Sequence, residues 1–474
     1  MTCSNMPTLE DKIAEAFGPV AIDKRRLPMS QLQKKGIPAY VAEWVLESKV
    51  PGRGVLSEEE AKKVQEWADK FIPTPRDQNV IKHRLLNSEP VKVLTHLTVE
   101  IDLQIKNGPQ RIATLPLLGI AKAAIPDSII EQNKSLLREG MWGVVDLQHT
   151  PNGVAVVAFR AMQAEVSLSL YREARRHFSV EEWSAVMLRS MGYNPEAFTP
   201  EQHTLLLCRL LPLVQHNMVL AELAPKGTGK SYVYENISPR VRLVSSSISP
   251  AVLFVNNASG QWGLLARFAL VVLDEIQNLR FTDAPAIISG LKSYLANGTI
   301  TRGGQNQVKS TCGLVLLANI TLDADQRPIF DPIVKELPEY LQETAFLDRL
   351  RGIIPGWELP KLSNRSLAQG MGLKADYFGD VMLSLREDIS ADQYVARRVV
   401  MSGNSIYRRN EEALQSIASG MMKILFPHGE FTDEEFCRYC LTPAKKLRQL
   451  VWNQMQQLDG EYRQYDSQLS YQLT

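Results

Sequence analysis

Three runs of this sequence hold residue types suited to phosphate chemistry. The first, "LAPKGTGKSYVYENIS" at residues 223–238, follows the apolar run MVLAEL and ends as a helix can begin. It fits the phosphate-loop pattern G-x-x-x-x-G-K-[ST], with Ala224 where the first glycine usually stands. Pro225, Lys226, Gly227, Thr228, Gly229, Lys230 and Ser231 are therefore the expected nucleotide-binding run. Its glycines let backbone N–H groups wrap phosphate oxygens, Lys230 reaches the outer phosphates, and the Ser231 hydroxyl can ligate Mg²⁺ at a helix N-terminus. The competing reading is a Gly-rich strand-to-helix turn with an incidental lysine. The second run, "FALVVLDEIQN", delivers Asp274 and Glu275 at the end of an apolar strand. Asp274 is expected to hold Mg²⁺ through water, and Glu275 to polarise an attacking water as general base. Either acid alone is an ordinary solvated strand end; in this order and spacing they form a Walker B pair. The third, "CGLVLLANI" at 312–320, ends on Asn319, whose amide can orient that water beside the γ-phosphate. Asparagine also starts turns at strand ends, so the series of strands is what gives it weight. ATP and Mg²⁺ are the expected cofactors, with Glu275 and Asn319 catalytic.

Two further stretches differ in promise. "NGTITRGGQNQVKST" reads as a hairpin turning at Gly303-Gly304, with Arg302 and Lys309 on its arms. Those charges suit a DNA phosphate backbone, and equally suit a solvated surface hairpin. Cys437-Arg-Tyr-Cys440 has metal-ligand spacing, yet no second pair accompanies it and His428 is the nearest other ligand, so zinc is not expected.

The phosphate loop, "GLLARFALVVLDE", "GLKSYLANGTITRG", "LANI" and "FLDRLRGIIPGWELP" together resemble the Lon-like BrxL family of the BREX system, over residues from about 10 to 450. "IPAYVAEWVLE", "MWGVVDLQH" and "FSVEEWSAVMLRSMGY" resemble that family's N-terminal region. The resemblance implies a ring-forming AAA+ ATPase of phage defence: a homo-oligomer, hexameric or of stacked hexamers, working on double-stranded DNA without sequence preference, with other BREX proteins as further partners. It places Arg349 as an arginine finger reaching a neighbouring subunit's γ-phosphate, with Arg351 as runner-up. It also places Arg408, beside Arg409, where a lid-domain nucleotide-sensing arginine is expected, although a solvated basic pair on a helix fits as well. Lon-like members continue into a protease domain with a Ser–Lys dyad. After residue 445 we find a polar helical tail and no apolar β-rich segment to carry one, so the expectation is a short form, natural or a piece of a longer chain. The alternative function is an ATP-dependent protein unfoldase lacking its own protease domain. Such a machine calls for an aromatic, hydrophobic pore loop, and the hairpin here is polar and basic. A nucleotide-switched scaffold would lack the carboxylate that Glu275 supplies.

These residues need elements to hold them. At 474 residues and 45% hydrophobic content the chain can build several cores. Its 53 Lys and Arg against 52 Asp and Glu leave any polyanion-binding surface local. Acidic residues among the first thirty do not resemble a secretory leader, and no apolar run nears the roughly 18 residues of a membrane span, so a cytoplasmic location without membrane contact is expected. Five scattered cysteines fit a reducing compartment. The expected fold class is α/β, an AAA+ P-loop core with a helical lid behind a mixed helical and β-rich N-terminal region. Its segments are 1–75, helical; 76–165, β-rich, as a small sheet or an OB-like barrel suited to DNA; 166–216, a helical connector with capping signals at Ser179 with Glu182 and at Thr199-Pro200; 217–365, the ATPase core; and 366–474, the lid and polar tail.

Overall fold

The computed structural model describes residues 7–103, 110–162, 166–258, 260–301, 307–405 and 407–474. They form two compact units, one of residues 22–165 with 374–377 and one of the remainder.

The smaller unit is built around a closed barrel. Strands β1 (Val91–Asp102), β2 (Gln110–Leu115), β3 (Ile120–Ala124), β4 (Met141–Thr150) and β5 (Gly153–Ala161) follow the order β1-β2-β3-β5-β4. β4 returns to β1 in antiparallel register from Val91↔Leu147 to Leu97↔Met141, and β3 meets β5 in parallel at Ala124↔Ala155. Alternation drives closure: Val91, Val93, Leu97 and Val99 point into the core while Lys92 and Glu100 face water. With helix Asp127–Gln132 between β3 and β4, the barrel is OB-like, which decides between the two β arrangements expected above. Beside it, helix Glu58–Phe71 starts at a capping box of Ser57 and Glu60.

In the larger unit β6 (Val219–Ala224), β7 (Val241–Val244), β8 (Leu270–Leu273), β11 (Gly313–Asn319) and β12 (Gly352–Pro355) form a parallel sheet ordered β12-β6-β11-β8-β7; the hairpin strands β9 (Thr299–Ile300) and β10 (Val308–Lys309) stand apart from it. β6 and β8 are buried along their whole length, as strands covered by helices on both faces must be. The expected AAA+ core is this sheet: the phosphate-loop strand β6 lies beside β11, and β11 beside the strand of the acidic pair, β8. Helices Ser390–Arg398, Arg408–Leu425 and Thr442–Leu458 form the helical C-terminal part. The polar tail is not wholly helical. It returns as β14 (Ser470–Leu473), antiparallel to β13 (Val399–Ser402), held by fully buried Leu469 and by the Trp452 indole N–H on the Asp466 carbonyl. The helix Leu9–Phe17 belongs to this unit, where Phe17 stacks on Trp183 and Lys12 pairs with Glu182.

Candidate nucleotide site

The site forms where β6, β8 and β11 end together. Asn319 is paired with Ala224 across β11 and β6, and Leu316 with Leu273 across β11 and β8. Parallel register thus carries the phosphate loop, the acidic pair and the asparagine to one carboxyl edge of the sheet, where open α/β sheets bind ligands.

Between β6 and helix Lys230–Asn236 the loop turns through left-handed backbone at Gly227 (φ 88°) and Gly229 (φ 72°). A Cβ at Gly229 would collide with Leu362, whose own N–H donates to the Gly227 carbonyl at 2.8 Å. Lys230, only 7% exposed, donates from Nζ to Asn319 Oδ1 at 2.9 Å and to the carbonyls of Pro225 (3.2 Å) and Ala224 (3.4 Å). Burial pulls its ammonium below the usual lysine value, and the carboxylates of Glu222, Asp274 and Glu275 work against that pull. Ser231 Oγ donates to Asp274 Oδ2 at 2.6 Å. Glu275 is exposed and holds φ 47°, an uncommon conformation for a residue with a side chain. Its N–H is tied to Asp274 Oδ1 at 2.8 Å, and Asn278 Nδ2 donates to its Oε2 at 3.3 Å. The turn thereby fixes the second carboxylate beside the first but directed to solvent.

These residues fit Mg·ATP. A hydroxyl beside a carboxylate is a hard-oxygen donor set suited to Mg²⁺. A lysine satisfied only by an amide oxygen and two carbonyls can exchange them for phosphate oxygens. A cleft of about 510 Å³ adjoins the loop, lined by Lys226, Asn278, Asn319, Thr321, Glu336 and Gln277. Gln277 was not foreseen from the sequence; its Nε2 donates to the Asn319 carbonyl while its Oε1 has no partner. Its place two residues after Glu275 was the available signal.

The expected arginines stand elsewhere. Arg349 follows the short helix Thr344–Leu347, and its guanidinium bonds the Ala345 carbonyl rather than the phosphate loop. Arg351 pairs with Glu412 at 3.4 Å. Arg408 is 90% exposed, with Glu412 at 2.8 Å. Arg409 instead pairs with buried Asp348, which also receives Tyr407 Oη at 3.1 Å and Arg448 Nη2 at 3.2 Å. The hairpin forms, with Thr299↔Lys309 and Ile300↔Val308 in register and Lys309 exposed; Arg302, Gly303 and Gly304 lie outside the described residues. Cys437 and Cys440 share a π-helical turn in which Cys440 is buried, and no cluster of three metal-ligating side chains occurs among the described residues. Nor, among those residues, is any helix long and apolar enough to cross a membrane.

Comparison with known proteins matches residues 154–468 to the family described as "Lon-like protease BrxL-like, ATPase domain" and residues 15–149 to "BREX system Lon protease-like protein BrxL N-terminal". The Lon-like protease BrxL of Escherichia coli O9:H4 (strain HS) is 28% identical over 452 residues, covering 92% of this chain and 63% of the relative. That of Bacillus cereus (strain H3081.97) is 29% identical over 463 residues, covering 92% and 65%. The chain therefore spans less than two thirds of the length of these curated relatives. A full-length MCM homolog from Methanopyrus kandleri, covering 90% of this chain and 100% of its own, is 11% identical at a TM-score of 0.40, too distant to bear on the argument. The chain belongs to the BrxL Lon-like family, and its larger unit carries that family's ATPase domain.

Proposed function

We propose that this member of the BrxL family hydrolyses Mg·ATP where β6, β8 and β11 end, and that it does so in the cytoplasm as a homo-oligomeric ring acting on double-stranded DNA in phage defence, alongside other BREX proteins. The observation that carries the reading is the convergence of Lys230 with Asn319 and of Ser231 with Asp274, with Glu275 fixed beside them.

Bound Mg·ATP supplies an electrophilic γ-phosphorus and a cation that neutralises the charge developing on it. The residues of the chain do the rest. The N–H groups of Gly227 to Ser231 cradle phosphate oxygens at the start of a helix, whose dipole favours anions. Lys230 exchanges its bond to Asn319 for one to phosphate, which frees the Asn319 amide to orient a water. Ser231 and Asp274 would hold Mg²⁺, the hydroxyl through its oxygen and the carboxylate through water. Glu275 accepts a proton from the attacking water at a carboxylate oxygen. In this reading Arg349, whose guanidinium bonds the Ala345 carbonyl of its own chain, serves as the finger for a neighbouring subunit.

DNA as the working partner is supported by the basic, polar hairpin β9–β10. It is tested by duplex binding over a salt series for the full chain and for a variant with Arg302→Ala and Lys309→Ala, with assembly and Mg·ATP hydrolysis followed in parallel. The parent is expected to bind without sequence preference, and the variant to flatten the log–log salt slope by about one to two while still assembling and hydrolysing ATP. An assembled, ATP-hydrolysing parent with no affinity for duplex would overturn the DNA assignment. The word protease in the relatives' names supports a second reading, a protein unfoldase, and ATP-dependent unfolding of a tagged protein in place of DNA binding would establish it.

A further inference from the structure

A buried ion pair lies directly beneath the phosphate loop. Arg209, at the end of helix Pro200–Cys208, and Glu222, within β6, are both fully buried and meet side-on, with Nη2–Oε1 at 2.5 Å and Nε–Oε2 at 3.0 Å. The pair leaves donors to spare, and they go to the loop. Arg209 Nη2 donates to the Thr228 carbonyl and Nη1 to the Gly229 carbonyl, each at 3.3 Å. Nη1 also donates at 2.8 Å to Tyr193 Oη, which in turn donates to the Gly229 carbonyl at 3.1 Å. Burial raises the Tyr193 phenol, consistent with its keeping the proton it donates.

In a planar trans peptide the C=O and the following N–H point in opposite directions. Drawing the Thr228 and Gly229 carbonyls inward therefore turns the N–H groups of Gly229 and Lys230 outward, into the concavity of the loop. An apolar filler in place of the pair would leave the Thr228 carbonyl without its Arg209 donor and the Gly229 carbonyl with Tyr193 in place of two donors, and the Thr228–Gly229 peptide could then turn over and present oxygen to a phosphate. A buried charge pair is a poor source of stability, since apolar side chains of similar volume often serve as well or better. This one lies under the phosphate loop, with its spare donors on two of that loop's carbonyls.

We infer that Arg209, locked by Glu222 and backed by Tyr193, is a positioning residue for the phosphate loop, holding two peptides with their N–H groups toward the nucleotide's phosphates. This rests on the nucleotide reading above and goes beyond it by naming what presets the anion site. The test is binding of a fluorescent ADP and of ATP to the full chain, with Mg·ATP hydrolysis and nucleotide-free melting measured alongside. Tyr193→Phe keeps the ion pair and removes one donor to Gly229; its Kd for both nucleotides is expected to rise about fivefold, the value of one hydrogen bond. The double variant Arg209→Met with Glu222→Leu leaves no orphan charge. It is expected to melt near the parent and bind with unchanged stoichiometry, but with Kd raised more than about twentyfold and KM raised far more than kcat is lowered. Fold damage would instead lower the stoichiometry of binding. A folded double variant with the parent's Kd overturns the inference. Should the double variant fail to fold, Tyr193→Phe decides alone, and an unchanged Kd there overturns it. A parent chain that binds neither nucleotide would overturn the nucleotide reading, and this inference with it; the parent's Kd retained in both variants overturns the inference only.

Discussion

At the scale of single residues, the phosphate loop tolerates little. Gly229 combines positive φ with Leu362 packed against its Cα, so Gly229→Ala meets both backbone strain and a collision. Gly429 has φ 80° and nothing near where a Cβ would stand, so Gly429→Ala meets the strain alone, roughly 1–2 kcal/mol. We expect Gly429→Ala to lower the melting temperature slightly with nucleotide affinity intact, and Gly229→Ala to lower affinity more than about tenfold; titration of both with ATP checks the contrast. Much of this site was legible because chemistry was written next to chemistry: lysine after glycine, two acids after an apolar run. Arg209 and Glu222 were missed although each left a mark, a charge inside the apolar runs "LLLCRLLPLV" and "MVLAELA". A charge within such a run needs a buried partner, but a single sequence does not say that these two are partners.

Among the elements, the loop between helix Thr344–Leu347 and β12 is fixed from outside. Asp348 receives Arg409 from helix Arg408–Leu425 and Arg448 from helix Thr442–Leu458, and fully buried Arg448 also donates to the carbonyls of Asp348 and Leu350. Arg349 is therefore presented by a braced loop. Arg349→Ala should lower hydrolysis by about a thousandfold with ATP affinity unchanged, and mixing with Lys230→Ala subunits should restore part of it, since those subunits still supply fingers. Confirmed mixed assemblies with no recovery would remove Arg349 from that role.

A second element-scale consequence concerns pH. His428 follows helix Arg408–Leu425, stacked on Phe426, and burial with the charges of Arg175 and Arg176 holds it down to about 4, against the opposing pull of Glu430 and Glu435. A depressed histidine stays neutral when folded while its unfolded form protonates near 6.5, so its stability contribution is intact above pH 6.5 and is lost as pH falls toward about 4. Melting of the parent and of His428→Gln from pH 7.5 to 5 should show a shallower decline in the variant; parallel curves would contradict this. Elements were read best where the apolar pattern was strong, alternating in β1 and β4 and continuous in β6 and β8. The C-terminal strand β14 was not foreseen, because its polar sequence pairs with β13 through backbone rather than through an apolar face, and Trp452 anchors only the segment before it, at Asp466.

For the whole molecule, barrel closure depends on one parallel meeting of β3 with β5, a long-range pairing that no local pattern announces. The order of the parallel sheet is likewise a property of the fold. It is that order which sets Lys230 against Asn319 across 89 residues and Ser231 against Asp274 across 43. Family membership was carried by motifs spread along most of the chain, whereas assembly and the working substrate belong to surfaces that meet only between molecules. The claim on which the rest depends is that this convergence hydrolyses ATP. Its most direct measurement is the single-turnover rate of bound Mg·ATP in the full chain, comparing the parent with Glu275→Gln. The account predicts that Glu275→Gln binds ATP as the parent does and retains it as ATP, with the rate lowered at least about a hundredfold; hydrolysis by Glu275→Gln at the parent's rate would contradict it.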